Sequence, residues 1–428
     1  MLSQSPQDKP ADMSSSLAAA KYCRTRAPYK LIGVEMSFFT AKAKAYMRWK
    51  QIPFEPIVAS ADVYRDVIVP LTGVSYIPIV LLPDEEAKQH GSPAIQDTKD
   101  IIDYFEARYP SNPVLPPSPL ARFAAMLVEL VADEWLILIA MQWRWGAPHF
   151  AAQEKWVWTQ FGSGMFAEPG TEDAAIDVGK KSGKHFQRML PSLGITAASG
   201  YILDQQYHHL LRQLSQHFEK HAYLLGSAPC LADFALYGPL YAHLARDPVP
   251  GTVMRQTAPL VFEWVERMGG VSDWSGLRGC ERAGAALGDE PLPDTLSLWL
   301  RPLLQDLLPV LLSTATATET FLSKRPNPAA PLPRSIGTHR AVLHAPPGDI
   351  VEIDRAVMPS PLWMVERIAQ RVYRDDAVGA CDAWLAEAFG ENTKDMWGEV
   401  VRGAGRVGLV RRRNVLFQER QSEHAAKL

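Results

Sequence analysis

The chemistry this 428-residue chain can do is concentrated in three short stretches. The stretch from Ser75 to Leu82 reads S-Y-I-P-I-V-L-L and is closed by Pro83-Asp84, which predicts a buried strand from Ile77 to Leu82. Pro78 stands near its start, where a proline costs a central strand one ladder hydrogen bond, so something at that point requires it. Farther on, Ile101, Ile102, Phe105 and Tyr109 recur at helical spacing behind Asp97-Thr98, an acid and a hydroxyl of the kind that open helices. A helix start of this sort is either an ordinary cap or an anion-binding terminus. The third stretch is Glu35 to Phe39, a turn between a first strand and a first helix, with Ser37 in it.

In this order and spacing, I-P-I-V-L and Q-D-T-x-x-I-I-x-Y resemble the glutathione-binding half of the glutathione transferase family, whose pattern is V/I-P-x-L and then E/D-S/T-x-x-I-x-x-Y. The matching positions are Ile77, Pro78, Asp97 and Thr98. The resemblance implies a cis Ile77-Pro78 bond in a thioredoxin-like domain, with the N–H and C=O of Ile77 left unpaired. The cysteinyl unit of glutathione would join them as a short antiparallel strand. Asp97 would hold the ligand's α-ammonium, and Thr98 its α-carboxylate through hydroxyl and backbone N–H. Phe39 and Gln96 complete the implied glutathione-binding set. The competing reading is a plain strand–turn–helix with Asp97 or Thr98 as its cap.

The family's S-P-F-x-x-K/R-V-R-x-A-L motif falls on S-F-F-T-A-K-A-K-A-Y-M, so Ser37 matches the catalytic serine of the serine-type classes. Omega-type enzymes and glutaredoxins carry cysteine here, so thiol–disulfide exchange is not expected. The implied task of Ser37 is to donate a hydrogen bond to the glutathione thiolate. A thiol with pKa near 8.5 must fall by about 2 units to be mostly ionised at neutral pH, which needs about 2.7 kcal/mol. One hydrogen bond to a charged group offers roughly 1.5–3 kcal/mol, and a helix N-terminus roughly 0.3–1 more. The competing role for Ser37 is a bare cap of the helix predicted over Thr40–Lys50. Members often place a lysine two or three residues before the cis-proline to hold the glycyl carboxylate, whereas Ser75 and Tyr76 stand here. Lys42 and Arg65 are the substitutes the sequence offers.

Elements that position these residues are legible around them. Tyr29–Val34 reads as a first strand and Phe54–Val58 as a second, with the Thr40–Lys50 helix between. Ser111 to Pro119 is a proline-rich linker. Leu120–Arg144 follows as one long helix pattern, and Trp135, Trp143, Trp145, Trp156 and Trp158 cluster with His149, Phe150 and Phe161. These aromatics either line a second-substrate pocket or fill a helical core. Tyr201–Tyr223 is another helix, with His208, His209, His217 and His221 in it; His217 and His221 have metal-ligand spacing, but no Cys or Asp completes a site, so a solvated face is expected. G-S-A-P-C-L-A-D-F resembles the family's helix-capping motif, with Cys230 where Ser or Thr would be the cap and Asp233 as its third-position acid. The resemblance spans about Tyr29 to Gly270. Beyond it, Leu296–Leu322, Leu362–Tyr373 and Ala377–Phe389 read as helices, T-H-R-A-V-L-H and I-V-E-I-D-R-A-V as a hairpin, and Arg411-Arg412-Arg413 as a solvated run. No catalytic constellation stands out there.

Composition bounds the rest. Hydrophobic residues make up 47% and charged residues 21%, as in a globular protein, and a net charge of −3 argues against a nucleic-acid surface. Four cysteines (Cys23, Cys230, Cys280, Cys381) lie far apart, which fits a reducing, cytoplasmic compartment without structural zinc. No apolar run reaches membrane-spanning length, and the start of the chain does not resemble a signal peptide. The expected organisation is a disordered tail at 1–27, a thioredoxin-like glutathione-binding domain at 28–111, a helical transferase-type domain at 112–288 and an accessory, mainly helical region at 289–428. The resemblance implies attack of the glutathione thiolate on a small hydrophobic electrophile, a detoxification chemistry with glutathione as co-substrate and no metal. A homodimer stays open, and neither nucleic acid nor membrane is expected as a partner. The alternatives are a non-catalytic scaffold in the manner of metaxin-like proteins, and a glutathione-dependent isomerase or lyase.

Overall fold

The computed structural model describes residues 27–166, 170–270, 291–346, 348–373, 378–412 and 414–418. The expected tail, except Ala27, lies outside them, as do Cys23, Cys280 and Arg413. The chain divides into two compact units, Met1–Ser111 with Lys155–Gly183, and Asn112–Glu154 with Lys184–Leu428.

The first unit is built on a four-stranded sheet of order β2-β1-β3-β4, with β1 Tyr29–Gly33, β2 Phe54–Val58, β3 Ile79–Leu81 and β4 Ala94–Gln96. Helix α1 (Phe38–Trp49) carries the chain from β1 to the parallel strand β2. A helical run, α2 (61–72), leads to β3, which is antiparallel to both β1 and β4. Helix α3 (Asp84–His90) precedes β4, and α4 (Thr98–Arg108) follows it. Ile32, Ile57, Ile79 and Leu81 bury one sheet face against Val63, Val67, Ile68 and Leu71 of α2. Tyr46 Oη donates to Glu106 Oε1 at 2.9 Å, and Lys50 Nζ pairs with the same oxygen at 2.9 Å, fixing α1 to α4. Because β3 is central, Pro78 sits just outside the ladder it cannot donate to, and the strand is shorter than the run from Ile77 to Leu82 suggests.

Within the same unit, the Lys155–Gly183 portions of helices His149–Ser163 and Glu172–Met189 cross closely. A Cβ on Gly162 would lie 1.6 Å from the Ala175 carbonyl oxygen, and one on Gly179 2.0 Å from that of Trp158. Only glycine permits this approach of the two helices.

The second unit begins with helices, including Pro119–Glu134, Leu136–Trp145, Ala197–Phe218, Leu231–Pro239 and Pro259–Met268. The pattern over Leu120–Arg144 is two helices, broken at Trp135 (φ −113°). Trp135, Trp143 and Trp145 are buried in this unit, and Trp158 is buried in the first. Residues 291 onward are built into the second unit. Phe123 meets Tyr373, Trp384 and Trp397 at ring-centroid distances of 6.4, 6.0 and 5.6 Å. Arg367 and Glu129 form a buried ion pair at 3.2 Å, and Gln206 Nε2 donates to Asp306 at 2.7 Å. The expected hairpin is present as β5 (Thr338–Ala345) and β6 (Asp349–Ala356). Helix Glu391–Val407 and a last hairpin, β7 (Leu409–Arg412) with β8 (Val415–Gln418), lie outside the pattern read from sequence. Arg411 stacks 3.8 Å over Trp363 instead of lying free in a solvated run.

His217 corrects the solvated-face expectation. It is fully buried, with Nδ1 2.8 Å from Thr295 Oγ1 and Nε2 3.2 Å from the Tyr223 carbonyl. Thr295 comes from a segment 78 residues away, a contact that helical periodicity cannot reveal. Among the described residues no group of three or more His, Cys, Asp or Glu is arranged to hold a metal ion, and no helix is long and apolar enough to cross a membrane.

Candidate functional site

Strand register gathers the sequence-selected residues at one end of the sheet. Ile32 of β1 is opposite Ile79 of β3, and Ile79 is opposite Gln96 of β4. One step beyond this row lie the exit of β1 toward Ser37, the Ile77-Pro78 pair that enters β3, and the Asp97-Thr98 start of α4. The Ile77-Pro78 peptide is cis.

The backbone there is open to a ligand. Neither the N–H nor the C=O of Ile77 is hydrogen-bonded within the protein among the described residues. Gln96 braces the approach to it, its Nε2 donating to the Tyr76 carbonyl at 2.7 Å, while its Oε1 is buried without a partner. Asp97 caps α4 by accepting the Lys99 N–H at 2.9 Å, in a backbone conformation with φ +80° that a non-glycine residue rarely adopts. Thr98 is the first helical residue; its Oγ1 is buried and makes no hydrogen bond. The set has the group types glutathione would call for: an open peptide edge at Ile77, a carboxylate at Asp97 for an ammonium, and a helix start at Thr98 for a carboxylate.

Ser37 is the cap of α1. Its Oγ accepts the Thr40 N–H at 3.3 Å, and its own N–H donates to the Val34 carbonyl at 3.1 Å. Phe39 lies in the first turn, stacked on Phe38 at 4.3 Å; no recorded contact joins it to Ile77, Asp97 or Thr98. Of the two cations offered for a glycyl carboxylate, Lys42 is fully buried and engaged, and Arg65 is held at the surface by Asp62 and Asp66 at 2.7 Å each.

A cleft of about 260 Å³ opens at the carboxyl ends of the parallel strands β1 and β2, the usual place for a ligand in an open α/β sheet. Val34, Met36, Val58 and Gly164 are among the residues lining it, with the Glu35–Lys44 ion pair and Gln160 and Ser163. Ser37 is not in its wall, and none of the clustered tryptophans lines it. The lining from 160–164 was not read from the sequence; the glycines at 162 and 179, which permit a close helix crossing, are the signal that could have found it.

Two family models match this chain. The N-terminal domain of glutathione S-transferase matches residues 31–113, and the C-terminal domain of glutathione S-transferase matches 197–270. Residues 31–113 and 197–270 thus carry the two domains of the glutathione transferase fold. The first unit supplies the thioredoxin-like sheet of that fold, and the second supplies the helical domain together with the extension. No curated protein matches the chain. Among solved structures it is similar to a glutathione S-transferase of Methylobacterium radiotolerans in complex with glutathione sulfonate, at 15% identity and a TM-score of 0.34, covering 62% of this chain and 99% of that one. It is also similar to the beta-etherase LigF of Sphingobium sp. strain SYK-6, at 17% identity and a TM-score of 0.39, covering 56% and 94%. A third is the glutathione transferase URE2P6 of Phanerochaete chrysosporium in complex with oxidized glutathione, at 11% identity and a TM-score of 0.33, covering 57% and 91%.

Proposed function

We propose that this transferase-fold protein binds glutathione at the Ile77–Thr98 end of its sheet and directs the thiolate at a small electrophile. The observation that carries the reading is the unpaired backbone of Ile77, which, like the orphaned hydroxyl of Thr98, lies two positions past the Ile79–Gln96 pair that ends the ladder. The cysteinyl unit of glutathione pairs with Ile77, its α-ammonium meets Asp97, and its α-carboxylate meets Thr98. Ser37 caps α1 through an oxygen lone pair, so its hydroxyl hydrogen remains available to the sulfur. The sulfur lone pair then forms a C–S bond with the electrophilic carbon. The leaving group departs with its bonding pair or, in an addition, the neighbouring atom takes that pair and a proton. The cleft beside the Ser37 turn, walled by Met36, Ile57 and Val58, has room for the apolar part of the electrophile.

A second reading, a non-catalytic scaffold, draws on the engagement of Lys42 and Arg65, which leaves neither to hold the glycyl carboxylate. Calorimetric titration with glutathione separates the two. Saturable binding supports the transferase, and no heat of binding at millimolar glutathione supports the scaffold.

A further inference from the structure

Arg355, on β6, buries most of its guanidinium in the second unit. The residue is 5% exposed, and neither Nε nor Nη1 makes a hydrogen bond. Glu134 is the carboxylate that acts on it electrostatically, and no ion pair joins the two. Burial draws the guanidinium below its ordinary pKa. His339 of β5 is the register partner of Arg355, so the two side chains leave the same face of the hairpin. The Nδ1 of His339 is 2.8 Å from Ser313 Oγ, and its Nε2 is buried with no partner. The indole of Trp135 completes the group: its ring centroid is 5.5 Å from the guanidinium carbon, and its Nε1 is likewise buried and unpartnered.

These groups are nearly all donors. The arginine and the indole can only donate, and in the tautomer where the Ser313 hydroxyl donates to Nδ1 the imidazole hydrogen is on Nε2. Burying a charge and several donors without acceptors is costly, and natural folds rarely leave such a set unanswered. The missing component is a negatively charged acceptor. We propose that Arg355, His339 and Trp135 form a binding site for a small oxyanion, the carboxylate or phosphate group of a ligand. Arg355 supplies the charge and a donor fork, the mode in which arginine recognises such groups. Arg355 and His339 both come from the hairpin that follows residue 291, so the extension equips the helical unit with a site that the glutathione chemistry does not use.

Thermal unfolding of the full chain tests this, with inorganic phosphate and acetate each titrated against sodium chloride at matched ionic strength. A ligand that binds only the folded state raises the midpoint in proportion to its saturation. The expected result is a saturable rise with at least one anion, and the more effective one identifies the group. In Arg355→Met the apparent dissociation constant should rise at least tenfold, and in His339→Gln by a smaller factor. In anion-free chloride buffer Arg355→Met should unfold no lower than the parent, because an unpaired buried charge has been replaced by an apolar chain of similar length. Three results overturn the site: no rise beyond the chloride control, an equal rise in Arg355→Met, or a marked loss of stability in that variant without anion, which would mean Arg355 is already paired inside the fold.

Discussion

Ser37 accepts the backbone N–H of Thr40 at 3.3 Å, which makes the residue aligned with a catalytic serine also the cap of the first helix. The two roles use different parts of one hydroxyl, a lone pair for the cap and the hydrogen for the thiolate. Ser37→Ala removes both. It should lower turnover with any accepted electrophile, raise the pKa of bound glutathione thiol, leave glutathione affinity little changed, and lower stability by about 1 kcal/mol, the usual cost of losing a serine cap. Ser37→Gly, which costs a cap only a few tenths of a kcal/mol, should show the same kinetic loss with less thermal loss. Thiolate absorbance followed through a pH titration checks the assignment, and an unchanged thiol pKa in both variants removes Ser37 from the mechanism.

Asp97 holds φ at +80° while capping α4, a conformation that costs a non-glycine residue on the order of 1–3 kcal/mol. Asp97→Gly relieves that cost and gives up the Lys99 N–H cap at a few tenths of a kcal/mol relative to a good capping residue. The variant should therefore melt at or above the parent midpoint without ligand. If the carboxylate holds the ammonium of glutathione, the dissociation constant should rise about 10- to 150-fold, which corresponds to roughly 1.5–3 kcal/mol. Calorimetry and unfolding together decide: a lower midpoint with unchanged affinity would make Asp97 a cap and nothing more.

What the sequence made legible was local or carried by fixed motifs. The strand over Phe54–Val58 and the helix start at Thr98 follow from period and capping residues alone. The Ile77-Pro78 pair stood out because a proline at the entry to an apolar run needs a reason. What escaped was long-range. Strand β4 is three residues long and has no period to read, yet its register with Ile79 is what brings Gln96 beside the entry to β3. Gln160 and Ser163 line the cleft from a helix far along the chain from β2, marked by neither period nor motif, in a segment where Gly162 and Gly179 let two helices touch. His217 looked solvated because Thr295, which meets it, lies far along the chain.

The burial of His217 sets a pH dependence. Desolvation draws its pKa down from 6.5 to about 4, with the histidine neighbour His221 adding to the fall and the Tyr223 carbonyl opposing it. Between these values the unfolded chain binds the proton and the folded chain does not, so stability is full above about pH 6.5 and declines as the pH falls toward 4. The decline attributable to this residue is at most roughly 3 kcal/mol. Asp233, raised to about 6 chiefly by burial, works in the opposite direction, because the folded state takes up its proton first. His217→Gln should therefore flatten the acid limb, giving a smaller midpoint difference between about pH 7 and about pH 5 than in the parent. An unchanged difference would mean that other groups set the acid response.

Cys230 stands where the family motif has a hydroxyl, at the cap of helix Leu231–Pro239. The Asp233 side of the capping box is fully made: its carboxylate accepts the N–H of Cys230 at 3.0 Å, of Leu224 at 2.9 Å and of Trp264 Nε1 at 3.2 Å. The cysteine side is weak. Its Sγ donates to Asp233 Oδ2 at 3.4 Å, and the Asp233 N–H goes to the Cys230 carbonyl at 2.9 Å. A thiol is a poor donor and a poor acceptor. In Cys230→Ser a hydroxyl would find the same carboxylate within reach, so it would not be buried without a partner, and it can accept the Asp233 N–H better than sulfur does. The substitution should stabilise the helical unit by up to about 1 kcal/mol on the capping scale. The opposing effect is the loss of a fully buried sulfur that packs as a small hydrophobe. Thermal unfolding weighs the two directly. A raised midpoint with unchanged turnover supports the cap, and a lowered midpoint shows that packing of the sulfur outweighs the hydrogen bond and that the capping alignment at Cys230 carries no energy.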